Sequence, residues 1–550
     1  MHPPQSGLAR GIAWVAIPVA LHLFLLTRYW YNAPILDDFD CILDSMRAMA
    51  GAGGLSEWAR IVFDLQNEHR LALTRLIPAG LAAVTGTVDF RLLMLLGTVF
   101  MLAVWAFMRA EYAEVASGPV LAASAFLLLQ WSYWEAFLMA SAATAHLGVV
   151  FFAFTALFFA LRPGPFALAT CLLCGVLATY SQANGLLVLP IAAFGCLVQG
   201  RWKRTLAYAL VGAALWVLYF QGYSRPPNHP SLFQALTDPV RTFQLFLIII
   251  GGVGPNLAIS QLVGAALLVV LGWATAMGLW RKHPTVYLWI AFVLASAMTV
   301  AVARVGFGLF YGSRYSVNVA LLMALLVLGA ASLTQPWRRH YDLAALGAAA
   351  VLAIAIAIIA LPQMRERSFR GHLLAEVDPA RVVGAYGGRY AGVYYPPPGQ
   401  EKGARILAAT VPFGWYAPRR LEPPLTPVTT RAEAPAGVPP LGVMDSVAAD
   451  GATVKIRGWT GIAADTPGRS FRVYPAEGIR SVRLEGLEVR EDVAFALGRQ
   501  DMILAGFRIA VEYENERAAR EAVPRLCILV EAPNHPITHV HRPGIACPGQ

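Results

Sequence analysis

Residues 284–303 read PTVYLWIAFVLASAMTVAVA, twenty residues without a charge, bounded by Arg281-Lys282-His283 on one side and Arg304 on the other. A helix of ~20 residues, rising roughly 1.5 Å per residue, covers the hydrocarbon core of a bilayer, so this run predicts a transmembrane helix. Comparable runs lie at 12–29, 90–108, 117–133, 145–161, 165–180, 184–199, 204–221, 258–280, 315–334 and 342–361. Together they predict a polytopic α-helical membrane protein with about eleven transmembrane helices. Two further runs are interrupted: 71–88 by Arg75, Pro78 and Gly80, and 240–253 by Gly251, Gly252 and Gly254. These predict juxtamembrane helices that lie in the interface or dip part-way into it.

Composition supports that reading. Of 550 residues, 57 % are apolar and 14 % charged, with a mean hydropathy of +0.55. This excludes a soluble, disordered or fibrous chain. The charges are unevenly spread, 43 of them in 363–550 against 33 in 1–362. A membrane domain over 1–362 is therefore expected, then an extracytoplasmic connecting region over 363–440, rich in proline. Residues 441–550 predict a soluble antiparallel β-sandwich. Its alternating segments include 453–459, 470–474, 507–511 and 527–530, separated by turn residues.

The net charge of +10 does not point to nucleic acid here. The basic residues Arg109, Arg162, Arg201-Trp202-Lys203-Arg204, Arg281-Lys282-His283 and Arg338-Arg339-His340 fall on one side of the eleven predicted spans. With Arg10 at the start, that side is the cytoplasm. The first thirty residues show no small-residue cleavage site, so they predict a retained helix with a cytoplasmic N-terminus and a C-terminal domain outside. Cys171, Cys174 and Cys196 are expected as core residues. Cys527 and Cys547 would pair if their domain faces an oxidising compartment.

The opposite side collects the reactive groups: Asp37-Asp38-Phe39-Asp40, Gln66-Asn67-Glu68-His69-Arg70, Glu135 among Trp131, Tyr133 and Trp134, His146, Gln182, Arg225 and His229, Arg304, and Ser313-Arg314-Tyr315. Ionisable groups beside a membrane core are costly, so a one-sided cluster predicts a site. Adjacent carboxylates supply a general base and a group that orients it or binds a cation, and an extended backbone would point only one of them at a substrate. The 67–70 segment suits phosphate or sugar hydroxyls, and equally a plain helix start. His69 has no second histidine at ligand spacing, which disfavours zinc. No metal ligand set or cofactor is fixed, and a divalent cation beside the acids stays open. Arg304 and Arg314, near Gly306, Gly308 and Gly312, suit a lipid-linked phosphate. The 223–229 loop reads as a rigid lid or a connector.

These residues resemble the GT-C superfamily of membrane glycosyltransferases, which use polyprenyl-phosphate sugars. The bacterial branch with a DDF-type motif after the first helix and an SRY-type motif late in the membrane domain is the most similar. Asp37-Asp38-Phe39, the segment 67–70, Arg304 and Ser313-Arg314-Tyr315 carry the likeness. It implies a catalytic carboxylate at Asp37 or Asp38, with Asp37 favoured, and a donor phosphate held by Arg314, Arg304, Tyr315 and Arg70. Asn67, Glu68, His69, Glu135, His146, Gln182, Arg225 and His229 are then substrate-binding candidates. The expected activity is sugar transfer, with inversion, from a polyprenyl-phosphate donor to a glycan, lipid or protein acceptor. Its expected place is the outer face of the bacterial cytoplasmic membrane. The C-terminal module looks like the β-rich accessory domains of polysaccharide enzymes. The alternatives are a flippase or transporter of a lipid-linked sugar, which needs no carboxylate base, and an O-antigen-type polymerase or ligase, which relies on a large outer loop with Arg and His. A cell-surface scaffold led by the soluble domain leaves the membrane motifs unexplained.

Overall fold

The structure is a computed structural model describing residues 6–113, 117–224, 226, 229–334, 338–376, 400–416, 426–432, 437–464, 466–488, 490–499, 502 and 504–544. Among these, one compact unit holds 6–371 and 400–416, and a second holds 372–376 and 426–544.

The first unit is helical. In chain order its principal helices are α1 (Ser6–Tyr29), α2 (Ala72–Thr85), α3 (Phe90–Glu111), α4 (Gly118–Leu128), α5 (Gly148–Ala160), α6 (Pro165–Thr179) and α7 (Val188–Val198). Then come α8 (Trp202–Phe220), α9 (Pro239–Gly251), α10 (Leu257–Ala276), α11 (Pro284–Arg304), α12 (Val317–Leu333), α13 (Arg338–Glu376) and α14 (Gln400–Thr410). Among the described residues, six segments are long and apolar enough to cross a membrane: Phe90–Glu111, Ala140–Ala160, Leu257–Ala276, Pro284–Phe307, Ser313–Leu333 and His340–Phe369. The chain is a multi-pass membrane protein. All eleven apolar stretches fall on helices, several shorter than a full span; α4 has 11 residues and α6 has 15.

Helix ends follow the sequence. Asp89, Ser117, Asp238 and Asn256 cap α3, α4, α9 and α10 by accepting a backbone N–H, and proline opens α6, α9 and α11. Both interrupted stretches are helices. The first continues through Pro78, and Arg75 is buried rather than reaching for head groups: its guanidinium donates to the carbonyls of Ile61, Val62 and Asp64. The second, α9, packs on α10 at a glycine contact. A Cβ on Gly251 or Gly264 would run into the facing backbone, at Ser260 O or Leu247 O respectively.

Residue 362 is not a structural boundary. Helix α13 runs through Pro362 to Glu376, because the change in charge density marks where a helix leaves apolar surroundings, not where it ends. Of the connecting region, α14 packs on the π-helical turn Phe39–Asp44, and Trp415 O accepts from Val88 N–H at 2.7 Å.

The second unit is one eight-stranded sheet. After the small hairpin of the first unit, β1 (Leu65–Gln66) with β2 (His69–Arg70), its strands are β3 (Val428–Thr430), β4 (Pro440–Asp450), β5 (Thr453–Thr460), β6 (Ser470–Tyr474), β7 (Ile479–Glu488), β8 (Gly506–Tyr513), β9 (Cys527–Glu531) and β10 (Thr538–His541). The order is β3-β6-β9-β10-β4-β5-β8-β7, with β3-β6 and β10-β4 parallel and the other seams antiparallel. The sheet curls on itself, so that Ile456 and Ile509 share one core with Phe471 and Ile528. The two faces expected of a sandwich are thus halves of one continuous, partly parallel sheet. Cys527 is disulfide-bonded, while Cys547 lies outside the described residues.

Candidate active site

The first loop after α1 makes a tight turn, with Leu36 at φ 52°, and enters the π-helical turn Phe39–Asp44 directly. The acidic pair therefore sits in a turn rather than an extended segment, with Asp37 in the turn and Asp38 at the start of the helical backbone, and the two carboxylates part. Asp38 turns inward and is fully buried. It accepts from Ile35 N–H at 3.1 Å and Ser141 N–H at 2.7 Å. Burial raises its carboxyl to about 6 against those hydrogen bonds. Of the two catalytic candidates Asp38 is not on the cavity wall; it ties the loop to the start of the 140–160 helix.

Asp37 turns the other way, into a cavity of about 580 Å³. Around it stand Asn67 and His69 from the hairpin, His146 from the π-helical turn Ala143–Leu147, Gln182 between α6 and α7, Arg304 at the end of α11, and Arg314 and Tyr315 before α12. Elements far apart in sequence meet here at one end of the bundle. Asp37 Oδ2 lies 3.6 Å from Arg314 Nη1. Its side chain keeps 43 % of its surface on the cavity, yet the protein mass around it raises its carboxyl above the usual range, with Arg314 pulling the other way. The Arg314 guanidinium lies 5.6 Å from the Tyr315 ring centroid, and His146 meets the same ring edge-on at 6.0 Å.

His69 faces the cavity in its neutral form, since burial lowers its pKa to about 4. Its Nδ1 is buried without a hydrogen-bond partner, and its Nε2 is 3.8 Å from Glu68. His146 Nδ1 is 3.2 Å from Gln182 Nε2.

A second, apolar groove of about 1190 Å³ adjoins the first. Val149, Val150, Phe220, Phe292, Val300 and Val317 are on its wall. His69, His146, Gln182, Arg304, Arg314 and Tyr315 border both spaces, so the polar cavity opens into a greasy slot through a basic and aromatic collar. Glu68 borders the groove and pairs with Arg304 and His229, leaving Arg304 largely neutralised and Arg314 the more open cation.

Three further expected site residues line neither the cavity nor the groove. Arg70 donates from all three guanidinium nitrogens to the carbonyls of Phe63, Tyr219 and Gln221, which holds the hairpin to the end of α8. Glu135 pairs with Arg367 of α13 at 3.4 Å and donates its N–H to Ser313 Oγ. His229 is held by Glu68 and Arg304. Arg225 lies outside the described residues.

Residues not singled out from sequence also contribute. Cys41, Met139 and Ser141 line the cavity, as does Gln66 of the 66–70 cluster read from sequence, and burial pushes the Cys41 thiol well up. Lys402 of α14 pairs with Asp40 at 2.6 Å. Nothing in the local pattern of Met139 or Ser141 marks them, since both sit in an unbroken apolar stretch. Among the described residues, no three of His, Cys, Asp or Glu gather as a metal group.

No protein-family model and no curated protein matches the sequence. Among solved structures the chain is similar to ArnT from Cupriavidus metallidurans in the apo state, at 14 % identity over 74 % of this chain and 78 % of that one, with a TM-score of 0.40. It is also similar to ArnT from the same organism bound to undecaprenyl phosphate, at 16 % identity, 73 % and 75 % coverage and a TM-score of 0.39.

Proposed function

We propose that this protein is a membrane glycosyltransferase of the GT-C type that takes its sugar from a polyprenyl phosphate. The observation that carries the reading is the Asp37–Arg314 pair, 3.6 Å apart on the wall of a polar cavity that opens into an apolar groove. A base and a phosphate-binding cation at the head of a lipid-sized slot fit a substrate with a charged, reactive head and a long hydrocarbon tail.

In this mechanism the prenyl chain lies in the groove and the sugar phosphate at the collar. The acceptor hydroxyl oxygen attacks the anomeric carbon while the bond from that carbon to the phosphate oxygen breaks. Asp37 takes the hydroxyl proton, and Arg314, backed by Tyr315, balances the charge left on the departing lipid phosphate. One displacement inverts the anomeric centre. Arg304, already balanced by Glu68, shapes the collar and adds less charge. The acceptor is a glycan, lipid or protein hydroxyl. The site faces the outer side of the cytoplasmic membrane, with the N-terminus inside and the β-rich unit outside, in keeping with the basic loops.

The test has two arms. Binding of undecaprenyl phosphate to the purified chain should weaken at least tenfold in Arg314→Ala, and unchanged binding overturns the phosphate site. Transfer of radiolabelled sugar from the lipid-linked pool of native membranes should be lost in Asp37→Asn at normal expression. Full transfer in that variant overturns the base, and lipid-linked sugar crossing the bilayer without transfer returns the flippase reading.

A further inference from the structure

Asp37 is surrounded by more charge than its own partner. Arg314 and Tyr315 face it from before α12, Arg304 from the end of α11, His69 from the hairpin and His146 from the 143–147 turn. Its own turn adds Asp38, Asp40 and Cys41. Glu135, on the short helix Trp134–Phe137, and Arg367, on α13, also act on it electrostatically. Two of these groups, Asp40 and Glu135, are like charges that oppose its ionisation.

Each of those two carboxylates is capped by a cation that follows the apolar part of α13. Lys402 Nζ lies 2.6 Å from Asp40 Oδ1, whose side chain is 4 % exposed. Arg367 Nη2 lies 3.4 Å from Glu135 Oε1, and its guanidinium sits over the Trp134 ring at 5.4 Å. The geometry is specific, since α14 packs directly on the turn Phe39–Asp44 that follows Asp37.

We infer that Lys402 and Arg367 are positioning residues that keep Asp37 ionisable, by neutralising the two carboxylates that flank it. The end of the last membrane helix and the α14 segment after it thereby serve the catalytic apparatus, although neither touches a reacting atom. The catalytic consequence rests on Asp37 being the base; the electrostatic claim does not. Without its cap, either carboxylate loses a neutralising cation and its negative charge acts more strongly on Asp37. At an effective dielectric of ~20, that shifts a neighbouring carboxyl by on the order of one pH unit.

The experiment reads ionisation directly, without substrate. Dicyclohexylcarbodiimide reacts only with a protonated carboxyl, so labelling of Asp37 in the full-length protein, quantified by peptide mass spectrometry against pH, gives its midpoint. The midpoint should rise by on the order of one pH unit in Lys402→Met and in Arg367→Met. It should stay in place in Lys402→Arg and return in the double variant Lys402→Met with Asp40→Asn. A purely structural role for Lys402 would not be reversed by deleting Asp40. An unmoved midpoint in both single variants, or a shift that the double variant does not reverse, overturns the inference. If the midpoint moves as expected while Asp37→Asn still transfers sugar, the functional reading falls and the charge relation stands.

Discussion

Asp37 and Asp38 are neighbours with separate tasks, divided by the helical turn that carries them. Asp38 has two backbone N–H groups on its carboxylate, and Asp38→Ala strands both in a buried setting. A loss of about 2–4 kcal/mol in unfolding free energy is expected. The pH dependence has a definite sign. The folded Asp38 holds its proton up to about 6 against an ordinary 3.8, so its contribution to stability is full below the lower value and fades as pH rises through the upper one. The Tm difference between wild type and Asp38→Ala should therefore narrow between those limits. A gap that widens instead rules out this account. Asp37 predicts an activity effect of opposite sense: it must be ionised to accept a proton, so transfer should fall on an acid limb lying above the ordinary carboxylate range. The pair itself was legible in sequence. Its division was legible only in part, because the expected alternation belongs to an extended strand and the loop is a helical turn. Arg70 shows a related limit: a guanidinium beside polar residues reads as an anion site, and the carbonyls that hold it are not visible in the sequence.

Helices were the most legible elements, because a run of apolar residues bounded by charge has few alternatives near a bilayer. Their contacts were less legible. The glycines at 251, 252 and 254 read as interruptions of a span, whereas Gly251 serves a close approach of α9 to α10. A pair of substitutions in α10 tests this. Gly264→Ala would push a methyl group against Leu247 O and should destabilise by about 1–3 kcal/mol. Gly272→Ala, in the same helix with nothing within 4 Å of its added Cβ, should be neutral or gain up to about 1 kcal/mol from helix propensity. Thermal unfolding of the two variants in one detergent decides it, and equal Tm values would remove the packing role. Among the strands, β5, β6, β8 and β9 were visible as alternating apolar segments. Of the rest, β7 was hidden by the charges on Arg480, Arg483 and Glu485, and β3 by a length of three residues.

At the scale of the whole molecule, the question is on which side of the membrane the chemistry occurs, and two independent features bear on it. Basic residues gather in the loops at 109, 162, 201–204 and 281–283, while the cavity is built from the opposite ends of the helices they join. In the proposed topology the positive loops stay in the cytoplasm and the cavity opens outside. Cysteine chemistry speaks to the β-rich unit. Cys41, Cys171, Cys174 and Cys196 are free and buried in the helical unit, whereas Cys527 is disulfide-bonded. A reducing cytosol would not keep such a bond, which supports the proposed place of the second unit in the oxidising space beyond the membrane. Cys527 in intact cells should therefore resist a membrane-impermeant maleimide until an external reductant is added, and then become labelled once the unit is unfolded. A reporter that works only in the cytoplasm should stay silent when fused after Gln550. Labelling of Cys527 without reductant, or an active cytoplasmic reporter, would put the C-terminal unit inside. The acceptor would then have to be sought on the cytoplasmic face.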